Sequence, residues 1–327
     1  KFLKGNGTWA APTASAAVPT GNTLWVDKVN GNDGTAIRGQ LDKPYLTISA
    51  AITAASAGDE IRVFPGSYNE LLVMKAGVSV IGMDPRNCIL LRAAAATETA
   101  VTMSTNMVFA DFTLTLNPSA NTTTGIAFGA DTSNSTSYCD RITIVPTPTG
   151  TGVVNGVSDA GTGTADVKSW ATLRNCFIQG KDAAAGATVT GLSKTGAGTS
   201  VYRSCVIDGS SGIGVSITGG TDFFFGGRLS GTTQSFTQPS GTPTSSVDPA
   251  CVFASVPNIA SGTLASDSST GPVQLGAQVA LTGIITPTTL GGDTANYNPT
   301  GLATACVLRI SASTPGFKLR GLSGGAS

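Results

Sequence analysis

Hydrophobic positions in this chain come in short bursts, and one window sets the pattern for the rest. In residues 43–82, KPYLTISAAITAASAGDEIRVFPGSYNELLVMKAGVSVIG, Ile48, Ala51, Ile52 and Ala55 recur at helical spacing, and Gly58 follows where a C-terminal cap belongs. The spacing predicts one short helix. Three apolar runs come next, at 61–64, 71–74 and 78–81, separated by Pro65-Gly66, Ala76-Gly77 and Gly82. A helix that plugs one end, followed by many short strands, is how a solenoid of stacked β-coils begins.

The pattern continues downstream. Strands are predicted at 100–103, 107–109, 112–116, 125–128, 142–145, 152–157, 171–179, 188–192, 200–208, 214–218 and 223–225, with turn residues between them and no helical periodicity. ATLRNCFIQG (171–180) repeats as SVYRSCVIDG (200–209). Loops at 131–137 and 159–167 are expected to project from one side, where solenoids often bind. Residues 1–21 are expected to be a connector, 22–235 the solenoid and 236–250 (FTQPSGTPTSSVDPA) a Ser/Thr/Pro linker. Residues 251–327 are expected to form a small β module, with strands at 273–281, 284–286 and 305–310, that continues beyond Ser327.

The stretch LWVDKVNGNDG together with KPYLTISAAITAASAGDEIRVFPGSYNELLVMKAGVSVIG resembles the opening of right-handed parallel β-helix proteins of the pectin-lyase-like class, over roughly residues 22–92. The resemblance implies an all-β fold in which a strand, a Gly/Asn/Asp loop and an amphipathic helix cap the first coil. It implies no one function, because that class holds lyases, esterases, hydrolases and non-catalytic virion spikes. FLKGNGTWAAP at the start, and DTANYNPTGLATACVLRISAS (293–313) with LRGLSGGA (319–326) near the end, resemble segments of phage and giant-virus fibre proteins.

Composition narrows the partners. Charged residues make up only 12% of the chain, 19 basic against 19 acidic, so no basic face for nucleic acid and no attraction to an anionic membrane is expected. No apolar run is long enough to span a bilayer (~20 residues). The 42 glycines supply turn corners, and the abundant Ser and Thr suit an extracellular or virion-like β protein. There is no histidine, which excludes a Ser-His-Asp triad and any His-based metal site within the chain; no cofactor and no metal is expected. Of six cysteines, Cys88, Cys176 and Cys205 share a polar-Cys-apolar-apolar pattern, and Cys139 a looser form of it. Stacked coils would turn them into an inward ladder of free thiols, favoured here over disulfides.

Chemistry must therefore run on carboxylates, Arg, Lys or Tyr. Gly220-Thr221-Asp222-Phe223-Phe224-Phe225-Gly226 resembles the aspartate motif of pectin methylesterases. The resemblance implies Asp222 as nucleophile, Asp182 as acid/base and Arg228 as the orienting group, with Gln179 nearby. The sequence departs from that family at Lys181 and Ala183, in the 40-residue spacing between Asp182 and Asp222 (222 − 182), and in lacking an Arg-Pro-Trp motif. The same stretch also reads as a polar turn residue ahead of a buried Phe stack, and this reading is preferred. Asp27, Asp33 and Asp42 near the first loop are turn-type residues rather than a dense calcium cluster. Asp140, Asp159, Asp166 and Asp208 join Asp222 as carboxylates for a glycosidase, with positions the sequence does not fix.

The reading that absorbs most of these observations is a structural virion protein: a tail fibre, tailspike or capsid-associated β-helix. It is expected to be a homotrimer that contacts other virion proteins and host surface polysaccharide. The alternative is a carbohydrate-active β-helix enzyme, an esterase, lyase or hydrolase. A third reading is a secreted adhesin.

Overall fold

A computed structural model describes residues 23–93, 96–129, 137–162, 172–179, 186–209, 212–241, 243–247 and 251–254. It also gives the backbone pairing of Phe2–Leu3 with Trp9–Ala10 and that of Asn258–Ile259 and Thr263–Ser266. The expected strands at 273–281, 284–286 and 305–310 lie outside the described residues.

Strand follows strand in parallel register, each paired with its equivalents one coil before and one coil after. Three faces result. The first carries Thr23–Val26, Glu60–Val63 and Ser79–Gly82, and then the first halves of Val108–Leu116, Tyr138–Pro146, Thr199–Asp208 and Thr221–Ser230. The second carries Gly66–Tyr68, Cys88–Arg92 and the second halves of those long strands. The third runs from Leu72–Val73 through Glu98–Thr102, Thr122–Phe128, Val153–Asp159, Thr188–Lys194 and Ile213–Ile217 to Gln234–Gln238. This is a parallel β-helix, and crossovers between parallel strands of one sheet run right-handed.

The predicted helix is Ile48–Ala54. Thr47 caps its N-terminus by accepting the Ala50 amide, and Ile48, Ala51 and Ile52 face the open end of the core. Gly58 has φ +92° and closes the turn after the helix. Coil length varies: Leu24 pairs with Ile61 across the helix-bearing first repeat of 37 residues (61 − 24), whereas Ile61 pairs with Val80 and Thr244 with Thr263 across repeats of 19 (80 − 61 and 263 − 244).

The corner between the first two faces is made by residues with left-handed backbone. Asp111 (φ 62°), Arg141 (φ 50°), Asn175 (φ 53°) and Ser204 (φ 52°) stack one above the next, and Gly226 (φ 65°) continues the column. A non-glycine residue there costs about 1–2 kcal/mol, so each coil turns this corner against local preference. The turn at Asn175 splits the strand predicted over 171–179 into Leu173–Arg174 and Phe177–Gln179.

The third face has a column of its own. Gly125, Gly156, Gly191 and Gly214 align in successive coils, each where a side chain would strike backbone of the next: a Cβ on Gly156 would stand 2.5 Å from the Gly191 carbonyl oxygen.

Two expectations need correction. Residues 236–250 were expected to be a linker, yet Gln234–Gln238 and Thr244–Val247 are strands of the solenoid, and pairing continues to Thr263–Ser266. The polar composition misled because Thr237 is buried and Gln238 and Ser245 are buried inward, with Gln238 Nε2 donating to Ser245 Oγ at 2.9 Å. The cysteine ladder needs correction only in part. Cys88, Cys139, Cys176, Cys205 and Cys251 are buried and free. Cys88, Cys176, Cys205 and Cys251 share one inward column, interrupted by Phe112, Ile142 and Gly227, whereas Cys139 lies in another with Phe109, Leu173 and Tyr202. Cys306 lies outside the described residues.

Candidate functional site

The outer surface of the first face carries the most concentrated polar chemistry. In a strand, residues on either side of an inward one point outward. Trp25, Arg62, Ile81, Ala110, Asp140, Arg174, Arg203 and Phe225 therefore form one outward column, with adjacent members in register. Seven steps at ~4.8 Å per coil give a ridge of roughly 34 Å.

At the middle of the ridge, buried carboxylates display arginines. Arg141 grips Asp111 with two parallel bonds, Nε–Oδ1 and Nη2–Oδ2, both 2.6 Å. Its Nη1 donates to Asp140 Oδ2 at 2.5 Å. Arg174 Nη2 reaches the same oxygen at 2.8 Å, and Asn175 Nδ2 donates to Asp140 Oδ1 at 3.2 Å. The Asp140 side chain is 3% exposed, whereas those of Arg141 and Arg174 are 52% and 45% exposed, so what solvent meets is guanidinium. Burial pushes the Asp140 carboxyl up, but the donors Arg174 and Asn175 and the nearby arginine charges outweigh it and hold it below the usual carboxylate range. Arg141 is held more firmly protonated, first by its bonds to Asp111. The bidentate pair sits where the backbone of Arg141 is strained, and it offsets that strain.

Aromatic rings punctuate the ridge. Arg174 lies over the Tyr138 ring at 5.2 Å and Arg203 over Phe225 at 4.3 Å, with Phe223 parallel to Phe225 at 6.3 Å. Toward the capped end the ridge opens into a groove of about 510 Å³ lined by Thr23, Trp25, Glu60, Arg62, Met83 and Asp111. Gly82 forms part of its floor, where a Cβ would meet the Asp111 carbonyl oxygen at 2.1 Å. Guanidinium forks recognise carboxylate or sulfate through two parallel bonds, and ring faces stack against the apolar face of a sugar. Spaced along a straight ridge, they fit an extended polymer with acidic groups.

The motif-derived residues fall elsewhere. Asp222 lies in Thr221–Ser230 in the same phase as Phe224, so both point into the solenoid, and Asp222 is 0% exposed. Its carboxylate meets no polymer outside. Arg228 is exposed on the second face, and Gln179 is half-buried at the end of Phe177–Gln179, in register with Asp208 and Ser230. Asp182 and Asp166 lie outside the described residues, as do most of the two expected projecting loops. The structure thus brings neither Arg228 nor Gln179 to Asp222. Asp159 is also interior, while among the described glycosidase candidates Asp140 alone joins the ridge. Asp27 accepts from Val29 and Asn30 within its own turn, and Asp33 accepts from the Leu46 and Thr47 amides. Among the described residues no group of three or more His, Cys, Asp or Glu side chains is placed to hold a metal. Sequence reasoning missed Asp111, Arg141, Arg174 and Arg203. The one available signal was the recurrence of DR, RN and RS just ahead of an inward apolar residue, in CDRI, LRNC and YRSC.

No protein-family model and no curated protein sequence matches the chain. Among solved structures it is similar to the pectin methylesterase PemA from Erwinia chrysanthemi, at 14% identity and a TM-score of 0.30 over 70% of this chain and 80% of that one. A rhamnogalacturonan lyase matches at 16% identity and a TM-score of 0.31, over 71% and 68% of the two chains. The A-module of the mannuronan C-5 epimerase AlgE4 from Azotobacter vinelandii matches at 11% and 0.20, over 72% and 88%.

Proposed function

We propose that this chain binds an extended acidic polysaccharide along the ridge from Trp25 to Phe225. The observation that carries the reading is the display of Arg141 and Arg174 by carboxylates buried beneath them. Fixing a guanidinium before the ligand arrives lowers the ordering cost of binding. Titration calorimetry against polygalacturonate and against neutral dextran tests it. Binding to the acidic polymer that weakens with added salt, and none to dextran, is expected. Equal binding of both polymers, or of neither, would remove the reading.

Asp111 and Asp140 stand on neighbouring coils, joined through Arg141, and this favours a second reading: a carbohydrate-active enzyme, an esterase, lyase or hydrolase, acting on the same polymer. Release of methanol, unsaturated ends or reducing ends from acidic polysaccharide, abolished by Asp111→Asn, is the result it requires.

The biological setting is a separate proposal that rests on the flanking-sequence resemblances. A trimeric virion fibre or spike would present three such ridges to a host glycan and gain avidity from them. Light scattering of the full chain decides: three chains per particle agrees, and one chain contradicts.

A further inference from the structure

The interior of the solenoid holds a group of ionisable side chains that the ridge does not use. Asp159 and Lys194 occupy one inward column at the end of the third face, while Ser200 and Asp222 occupy the neighbouring inward column at the start of the first. Lys194 Nζ stands 3.7 Å from Asp159 Oδ2 and 3.8 Å from Asp222 Oδ1, and all three side chains are at most 3% exposed. Lys194 donates to Ser200 Oγ at 2.7 Å and to the Gly198 carbonyl at 3.0 Å. Asp159 Oδ2 accepts from Ser200 at 2.6 Å and from the Tyr202 hydroxyl at 3.3 Å. Both oxygens of Asp222, by contrast, lack a hydrogen-bond partner.

Such an arrangement is costly as a mere structural ion pair. An unsatisfied buried carboxyl loses its water without replacement, and buried charges are rarely net stabilising. Gly220, at φ +79°, leaves the room the lysine needs: a Cβ there would sit 2.9 Å from Lys194 Cε. Phe224, stacked on Tyr202 at 4.7 Å, walls the site on the same inward side as Asp222.

We propose that Lys194 and Asp222 join through an intramolecular isopeptide bond, with Asp159 as the proton-transfer group. Asp159 accepts a proton from the Lys194 ammonium. The neutral amine attacks Asp222 Cγ, the Cγ–OH bond breaks, and the hydroxyl leaves as water with a proton from the attacking nitrogen. The product is one amide, one water and a protonated Asp159; no oxidant or co-reactant is needed, and no formal charge is left at the site. The acid form of Asp222 that this step requires is the one present at neutral pH. Burial, reinforced by Asp159 and partly countered by Lys194 and the nearby Tyr202 hydroxyl, pushes its pKa up to about 8. The bond would staple one coil to the next and enclose residues 195–221 in a covalent loop.

The test is the intact mass of the full chain, denatured before measurement, followed by fragmentation of its proteolytic peptides. A mass one water below that dictated by the sequence, with a cross-linked peptide joining Lys194 to Asp222, is expected. Lys194→Met should restore the full mass. Asp222→Asn should lose ammonia instead of water, because the same bond then expels the amide nitrogen. A wild-type chain at full sequence mass overturns the proposal. So does a water loss that survives Lys194→Met, since it then arises elsewhere.

Discussion

Placing a methyl group on Gly156 tests the packing of the third face, on which the spacing of every coil depends. The new Cβ would stand 2.5 Å from the Gly191 carbonyl oxygen and 2.7 Å from Ile178 Cγ2. Ordinary contact begins near 3.4 Å. The carbonyl belongs to a backbone held in the parallel ladder and cannot turn aside, and Ile178 is fully buried. Relief therefore requires neighbouring coils to part. Overpacking of this kind costs about 1–3 kcal/mol. With one of the two clashes against backbone, Gly156→Ala is expected at the upper end, about 3 kcal/mol. Gly129→Ala is the matched control, since no atom lies within 4 Å of its Cβ position, and it should be neutral or stabilising by about 0.5 kcal/mol. The assay is urea unfolding of both variants beside the parent, with midpoints compared at equal slope. Gly156→Ala unfolding at the parent's midpoint would refute the argument that the glycine column is sterically required.

Further outcomes follow from the ridge and the core. Asp140→Ala removes the acceptor shared by Arg141, Arg174 and Asn175. Both arginines are about half exposed and screened, so the loss should be about 1–2 kcal/mol in thermal unfolding; a loss above about 4 would mean the pairs are far more buried than described. The native Asp140 binds its proton more weakly than in the unfolded chain, so its contribution is present above the ordinary carboxylate pKa and fades as pH falls through the lower native value. Asp140→Ala should accordingly flatten the acid limb of a stability–pH curve, and an unchanged limb would contradict this. Burial raises the thiols of Cys139 and Cys176 well above their ordinary pKa. Iodoacetamide at about pH 8 should leave both unmodified in native protein, as read by peptide mass spectrometry; rapid labelling of either would place it outside the core.

How much of this was legible in the sequence depends on the range of the signal. The capping helix was, because Ile48, Ala51 and Ile52 carry a local period and Thr47 a local cap. Most coil strands were too, since alternation is also local. The strand Gly66–Tyr68 was passed over because Pro65-Gly66 reads as a turn, yet Tyr68 is fully buried with its hydroxyl on the Phe64 carbonyl. Asp222 was placed in a surface motif although the alternation of Asp222, Phe223 and Phe224 already put Asp222 on the side of Phe224. Taking Phe224 as core would have drawn Asp222 inside. The ridge and the interior Lys194 group were out of reach for another reason. They depend on which residues of successive coils stand in register, and coils of 19 to 37 residues (80 − 61 and 61 − 24) have no fixed period from which to read it. The corner column is the clearest instance. Asp111, Arg141, Asn175 and Ser204 share a backbone conformation but no residue type.

The central claim is that arginines displayed along the first face recognise an acidic polymer. Its most direct test is the affinity of the Arg174→Ala, Arg203→Ala double variant for polygalacturonate beside that of the parent. A half-exposed guanidinium contact is worth about 1.4 kcal/mol, or tenfold in affinity, so the double variant should bind about 100-fold more weakly. Its unfolding midpoint should stay near the parent's. A folded double variant that binds as tightly as the parent would contradict the claim.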